Sequence, residues 1–366
     1  MLWLIFGCTI PSMIVCWAAA FAVRRWGPRF GLIDRPGARK IHAAPMPTAG
    51  GLAIWLGIVL PLLAGQIVLW MWSPPAAAFV PQVIAAHLSG LAHQSGKLWL
   101  LLAGGTVLML LGLADDRRGL DWRLRLAVQT LVALVLVCLG WRLSLFLDLP
   151  WLTGMLSVLW IVGLVNSFNM LDNMDGLSAG VAAIAAAMFA AVMLSTPRPD
   201  NNQPQLFIAG FLLVIVGSLL GFLAHNRPPA RLFMGDAGSY LVGYLLAMAT
   251  LTGTFAGGSL PKHAILAPLC VLAVPLYDTA SVVLIRLRSG RSPFVGDKSH
   301  FSHRLVERGM SKSQAVLTIY LATATCGLGA LLLRQLNVAG AMIVLLMVVS
   351  TLALVAVLES ADRRKP

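Results

Sequence analysis

Apolar residues in this chain run almost unbroken for fifteen or more positions at a time, with no two-residue alternation and no narrow 3.6-residue stripe. Eleven such runs stand between charged or Pro/Gly-rich breaks, at residues 2–23, 48–72, 98–114, 126–141, 151–165, 177–194, 206–224, 238–255, 263–285, 314–333 and 338–358. About 20 helical residues cross a bilayer core, so each run predicts a transmembrane helix. The expected fold is therefore all-α, a polytopic integral membrane bundle of about eleven helices forming one domain over residues 1–366, without internal repeats. No basic residue precedes the first run and Arg24 and Arg25 follow it, so it reads as a retained span rather than a cleaved leader. The connection 73–97 is rich in Pro and Ala and nearly uncharged, and is expected to lie along the membrane surface.

Composition sharpens this picture. Hydrophobic residues make up 58% and charged residues 11%, against about 25% charged in soluble domains. That excludes a disordered chain, a secreted disulfide scaffold and an ordinary cytosolic enzyme. All five cysteines fall inside the runs, which favours packing over disulfides or metal ligation. A net charge of +13 would suggest nucleic acid in a soluble protein. Here it sorts by side. With loops assigned alternately, 22 of the 27 Lys and Arg residues share one side, and only Lys97, Arg142, Arg198, Lys262 and Arg334 lie on the other. The positive-inside rule then puts the N-terminus outside and the C-terminus in the cytoplasm of a multi-pass inner-membrane protein, with no nucleic-acid partner. Eleven of the fourteen acids share the cytoplasmic side. The rule barely weighs acids; an active site facing the cytoplasm accounts for them.

The chemistry gathers in the cytoplasmic segments 24–47, 115–125, 166–176, 225–237 and 286–313. Asp115 and Asp116 are adjacent carboxylates at a membrane boundary, where repulsion calls for a metal, a basic ligand-binding partner, or simple neutralisation by Arg117 and Arg118. Asn166, Asn169, Asp172 and Asp175 recur every third residue, a spacing that suits a helix end unwinding into a loop. That stretch holds no Lys or Arg, and such polar density beside a bilayer is expensive without a use. Gly235-Asp236-Ala237-Gly238 opens the eighth run. Its N–H groups could face an anion, and Asp236 could equally be a helix N-cap. In the last loop, His300, His303, Arg304 and Lys298 suit phosphate better than zinc, although a solvated basic loop has the same composition. Asp278 is the one acid inside a run; it is either functional or paired with Tyr277 or a neighbouring helix. Carboxylates and amides for a divalent cation, basic groups for phosphates and access to lipid together suggest phosphoryl or phosphoglycosyl transfer between a cytosolic nucleotide and a lipid.

Colinear motifs add a resemblance. They are Asp34-Arg-Pro with Arg39-Lys40-x-His42, Pro47-Thr-Ala-Gly50-Gly51, Leu113-Ala-Asp115-Asp116, Asn166-x-x-Asn169-x-x-Asp172-x-x-Asp175-Gly176, Asn226, Phe233-Met-Gly-Asp236-Ala-Gly-Ser239, and Ser292-Pro-Phe with Asp297-x-x-His300-x-x-His303. From Asp34 to about Val316 the chain resembles the polyprenyl-phosphate N-acetylhexosamine-1-phosphate transferases, which include phospho-MurNAc-pentapeptide translocase. Within them it looks most similar to the branch moving GlcNAc-1-phosphate from UDP-GlcNAc to undecaprenyl phosphate to start cell-envelope polysaccharides. The resemblance implies that Asp236, helped by Asn169, holds Mg²⁺, with Mn²⁺ as the alternative. It implies catalytic roles for Asp115, Asp116, Asp172 and Asp175, with Asp115 and Asp116 engaging lipid phosphate or metal. Asp172, Asp175, Asn226 and Phe233 match a uridine pocket. Lys40, His42, His300, His303 and Arg304 match substrate contacts. The chain departs at Ser302, where that branch usually has His, and at Asn173, where bacterial members commonly have Gly.

The expected reaction is attack by an undecaprenyl-phosphate oxygen on the β-phosphorus of a UDP-HexNAc, with UMP leaving. A phosphorylated-Asp route stays open at this level. So do another UDP-HexNAc or UDP-MurNAc-pentapeptide as donor, and a homodimer. A transporter would also use eleven spans, but it predicts ionisable residues spread through the bilayer midplane.

Overall fold

The computed structural model describes residues 1–34, 45–71, 82–198, 203–257, 260–294 and 299–360. Thirteen α-helices stand among them: α1 Leu2–Trp26, α2 Gly50–Met71, α3 Gln82–Arg118, α4 Trp122–Cys138, α5 Pro150–Leu171, α6 Leu177–Ser195, α7 Leu206–Asn226, α8 Gly235–Thr252, α9 Ala267–Val271, α10 Ala273–Arg288, α11 Phe301–Glu307, α12 Lys312–Leu332 and α13 Val338–Ser360. The only regular strands described are β1 Ile33–Asp34 and β2 Met46–Pro47, a short antiparallel ribbon.

Eight helices are long and apolar enough to cross a bilayer, or nine if α10 and the bent segment before it count as one. The expected eleven differ from this for physical reasons. α4 has only 17 residues, and the first two turns of α8 carry Asp236, Ser239 and Tyr240. The ninth run is a broken helix, bent by 66°. Pro275 lacks the N–H that would bond Val271, and its ring crowds that carbonyl. The connection 73–97 is also different, because from Gln82 onward it is already α3, a 37-residue helix. Residues 286–313 contain α11, a two-turn helix that hydropathy could not reveal.

Large apolar side chains cover the outside of the bundle. On α13 alone Val338, Met342, Ile343, Leu346, Met347, Val349, Leu354 and Val357 are exposed. In water such a belt would drive association; facing acyl chains it needs no partner. α6 and α7 form the buried centre. Lipid supplies no hydrophobic drive between helices, so close approach of small residues has to hold the centre together. Gly217 and Gly221 lie one turn apart on α7, and α1 runs against them. A Cβ on Gly217 would sit 2.1 Å from the Thr9 carbonyl oxygen, and one on Gly221 2.3 Å from that of Met13.

The connections at one end of the bundle are tied to each other. Thr48 N–H donates to the Leu32 carbonyl, Phe233 N–H to Pro47 and Gly51 N–H to Met234. Glu359, near the end of α13, meets Arg304 of α11 at the same end. Gly217→Ala should lower stability in detergent by about 1–3 kcal/mol, the cost of overpacking. Gly163→Ala, whose added Cβ meets nothing within 4 Å, should leave the melting temperature unchanged in the same assay.

Candidate active site

Helix ends build the site. α3 runs on through Arg118, so Asp115 and Asp116 occupy its last turns rather than a loop. α5 continues to Leu171, which keeps Asn166 and Asn169 helical and places the unwinding at Asp172. There the chain turns within five residues into α6, with Gly176 left-handed at φ 75°. The fourth piece is the start of α8, which opens on Gly235 at φ 69°. A side chain on Gly235 would be strained by that φ and would meet the Thr48 carbonyl and the Asp116 carboxylate.

Adjacent Asp115 and Asp116 have different hydrogen-bond partners, although both lie against Asp236. Asp115 is 5% exposed. Its Oδ1 accepts from Leu120 N–H at 2.7 Å, and its Oδ2 accepts from Arg125 Nη1 at 2.8 Å and Tyr240 OH at 2.9 Å. The neutralising partner is thus Arg125 on α4, rather than Arg117 or Arg118. Asp115 ties α3, α4 and α8 together. Asp116 turns to the N-terminus of α8, accepting from Asp236 N–H at 3.0 Å and Ala237 N–H at 3.3 Å. Two expectations for α8 are corrected here. Its first N–H groups are not free for an outside anion, because Asp116 takes two of them. Nor is Asp236 the N-cap, a position held by Met234; Asp236 lies in the first turn.

Asn169 Nδ2 donates to Asp236 Oδ1 at 2.6 Å and to Ser239 Oγ at 3.1 Å, leaving its own oxygen without a bonded partner among the described residues. Burial first, then the charges of Asp236 and Asp175, push the Asp172 carboxyl up to about 8, against the pull of the Gly235 N–H. The helix ends thus bring Asp116, Asp172, Asp236 and Asn169 to one place. None of these three carboxylates forms an ion pair among the described residues.

Other expected residues have scaffolding contacts. Asp175 accepts from Ala230 N–H at 3.0 Å. Asn226 is buried with both ends of its amide engaged, accepting from Gly176 N–H and donating to the Leu232 carbonyl. Phe233 is half-buried, its backbone bonded to Pro47 and Gly50. On α11, Ser302 Oγ donates to Asn173 Oδ1 at 2.6 Å, so the two departures from the family pattern touch each other. Arg304 does not reach outward as a free phosphate ligand. Its guanidinium donates to Glu359, the Ser299 carbonyl and Ser281. His300 meets Asp278, and the His303 ring lies 6.3 Å from that of His300. Lys40 and His42 lie outside the described residues, as do Asp297 and Lys298.

Sequence reasoning missed Tyr240, Arg125, Ser239 and Glu359. Tyr240 had a faint signal, standing one turn beyond Asp236 on the same helix face. Glu359 had none, being 55 residues from Arg304. Trp122 stacks on Phe294 at 4.1 Å, joining the start of α4 to the loop after α10.

Among the described residues, no three His, Cys, Asp or Glu side chains are grouped so as to hold a metal ion by themselves. Mg²⁺ is usually held by one or two carboxylates together with substrate phosphates. Asp236 and Asp116, unpaired and adjacent, with the free oxygen of Asn169, fit that donor set.

Residues 98–254 match the model of glycosyl transferase family 4. The chain is 30% identical to a probable undecaprenyl-phosphate N-acetylglucosaminyl 1-phosphate transferase of Bacillus subtilis, over 90% of this chain and 85% of that protein. It is 34% identical to decaprenyl-phosphate N-acetylglucosaminephosphotransferase of Mycobacterium tuberculosis, over 88% and 80%. With undecaprenyl-phosphate alpha-N-acetylglucosaminyl 1-phosphate transferase of Escherichia coli it shares 28% identity, over 83% and 77%. The chain belongs to glycosyl transferase family 4. The matched family segment spans Asp115 to Asp236 and with them the whole carboxylate cluster, whereas α11 lies beyond it.

The contacts of Arg304 generate a stability prediction. Its side chain is 14% exposed and that of Glu359 10%. Arg304→Ala and Glu359→Ala should each cost about 2–3 kcal/mol, somewhat less than breaking a fully buried pair. Thermal unfolding of the double variant should show little further loss, since both changes remove one shared contact.

Proposed function

We propose that this family-4 protein transfers GlcNAc-1-phosphate from UDP-GlcNAc to undecaprenyl phosphate. UMP is released and a lipid-linked pyrophosphoryl sugar forms, the first intermediate of a cell-envelope polysaccharide. The observation that carries the reading is the meeting of Asp116, Asp172 and Asp236, without an ion-pair partner among the described residues, at one end of a lipid-embedded bundle. The relatives' activities on N-acetylglucosaminyl phosphate and polyprenyl phosphate support this choice of sugar and lipid. The distribution of Lys and Arg supports a cytoplasmic active site in the inner membrane.

The reaction forms a bond between a phosphate oxygen of the lipid and the β-phosphorus, and breaks the bond from that phosphorus to the bridging oxygen of UMP. A phosphate monoester with a second pKa near about 6 is largely dianionic at neutral pH, so it attacks without a strong general base. The residues mainly need to position groups and balance charge. Asp236 and Asp116, with Asn169, would hold Mg²⁺ (or Mn²⁺), which when bound offsets charge on the diphosphate. Asn169 orients Asp236, and Asp116 fixes the start of α8 beneath it. Asp172 and Asp175 shape the turn toward the donor nucleotide. Asp115, already neutralised by Arg125, keeps the ends of α3, α4 and α8 in register. A cleft lined by Phe30, Leu32, Leu113, Ala114, Arg117 and Arg118 suits an apolar chain with an anionic head.

In purified protein, Asp236→Asn and Asp116→Asn should each reduce UMP release from UDP-GlcNAc by at least about 100-fold, the scale of losing a group that acts in the transition state. Their melting temperatures should stay near the parent value. Full activity of Asp236→Asn would overturn the metal assignment. Tyr240→Phe should be milder, near 10-fold or about 1.4 kcal/mol, because Arg125 still neutralises Asp115.

A further inference from the structure

Asp278 is an acid in the middle of an apolar run, and the chemistry described so far does not use it. It is 1% exposed, on the first turns of α10 just after the bend. Both of its oxygens are engaged by the same neighbour. Oδ1 accepts from the Phe301 backbone N–H at 2.8 Å, and Oδ2 lies 3.0 Å from His300 Nδ1. One carboxylate inside the bundle therefore holds both the start of α11 and the imidazole beside it.

This contact decides which face His300 presents. A carboxylate can only accept here, so Nδ1 must carry a hydrogen, and in the neutral ring Nε2 is then the bare acceptor. The two ring nitrogens point in widely different directions, so Nε2 is turned away from Asp278. His300 as a whole is 6% exposed, yet Nε2 makes no hydrogen bond among the described residues and is not among the buried atoms lacking a partner. Nε2 is therefore not sealed inside the bundle. The rest of α11 is held as well, Ser302 by Asn173 between Asp172 and Asp175, and Arg304 by Glu359 and Ser281. The outward nitrogen thus has a fixed place relative to the carboxylate turn.

We propose that Asp278 is a positioning residue. It orients His300 so that Nε2 receives a hydrogen-bonding group on the sugar–phosphate end of the donor. This rests on the reading of the protein as a UDP-GlcNAc-dependent transferase. Carboxylates that orient a metal-ligating histidine typically cost about 10- to 100-fold in function when removed, and the same scale is expected for Asp278.

The test uses full-length protein in detergent with UDP-GlcNAc and undecaprenyl phosphate. Asp278→Asn keeps an oxygen for the Phe301 N–H but places an amide NH₂ against the ring, which must turn or shift its hydrogen. It should lower kcat/KM for UDP-GlcNAc by about 10- to 100-fold. The KM for undecaprenyl phosphate and the affinity for UMP, which lacks the sugar, should not change. His300→Gln should lose as much, and the double variant no more than either single one. Wild-type kcat/KM in Asp278→Asn would overturn the proposal. So would losses that multiply in the double variant, or a parallel loss of UMP affinity, which a purely structural role predicts. Should Asp278→Asn fail to fold, His300→Gln decides: unchanged kcat/KM with UDP-GlcNAc overturns the proposal, and a selective loss with UMP binding intact supports it. A parent protein that releases no UMP at all would overturn the proposed function instead.

Discussion

Like charges held close together at the edge of a bilayer are the constraint on which the rest of this structure depends. Asp116, Asp172 and Asp236 meet where three helices end, and burial and mutual repulsion raise the cost of keeping them ionised. The fold resolves one neighbouring charge internally, by setting Asp115 against Arg125 and Tyr240. The others it leaves to backbone N–H groups and one asparagine. Such an arrangement is stable only modestly by itself. On the proposed function, a divalent ion arriving with a diphosphate-bearing nucleotide would offset that repulsion.

The helices make that placement affordable. Small residues such as Gly217 and Gly221 let α7 and α1 meet backbone to backbone, so the centre can be rigid without relying on hydrophobic drive. Polar ties gather at the reactive end, although others such as Gln205 to Thr254 and His263 to Leu333 lie elsewhere. The ribbon β1–β2, the start of α2 and the Phe233–Met234 segment are linked by backbone hydrogen bonds. α11 is fastened by Asp278, Asn173 and Glu359. The result is a lipid-exposed bundle with a dense set of polar contacts around the carboxylates.

Much of this was legible in the residues. Long apolar runs gave the helical membrane class because hydropathy needs no tertiary information. The motif carboxylates Asp116, Asp172 and Asp236 were also legible, since charged residues beside a bilayer are conspicuous. What could not be read was partnership. Asp115 and Asp116 look equivalent in sequence, yet one is a neutralised strut and the other caps α8. Arg304 and Asn226 looked like ligand contacts and are engaged by the protein itself, because a side chain's partners come from elements 55 and 50 residues away. The bend at Pro275 and the short α11 escaped because an apolar run does not reveal a break, and a two-turn polar helix leaves no periodic trace.

The central claim is that the carboxylate end of the bundle transfers a sugar phosphate from a nucleotide diphosphate sugar to a lipid phosphate, releasing the nucleoside monophosphate. The most direct measurement incubates the purified protein with sugar-labelled UDP-GlcNAc, undecaprenyl phosphate and Mg²⁺, and follows labelled lipid and UMP together. Equal amounts of organic-extractable label and UMP should appear, both requiring the lipid and both abolished by chelator. Label remaining wholly aqueous in an intact, folded preparation, or UMP released without any lipid product, would contradict the account.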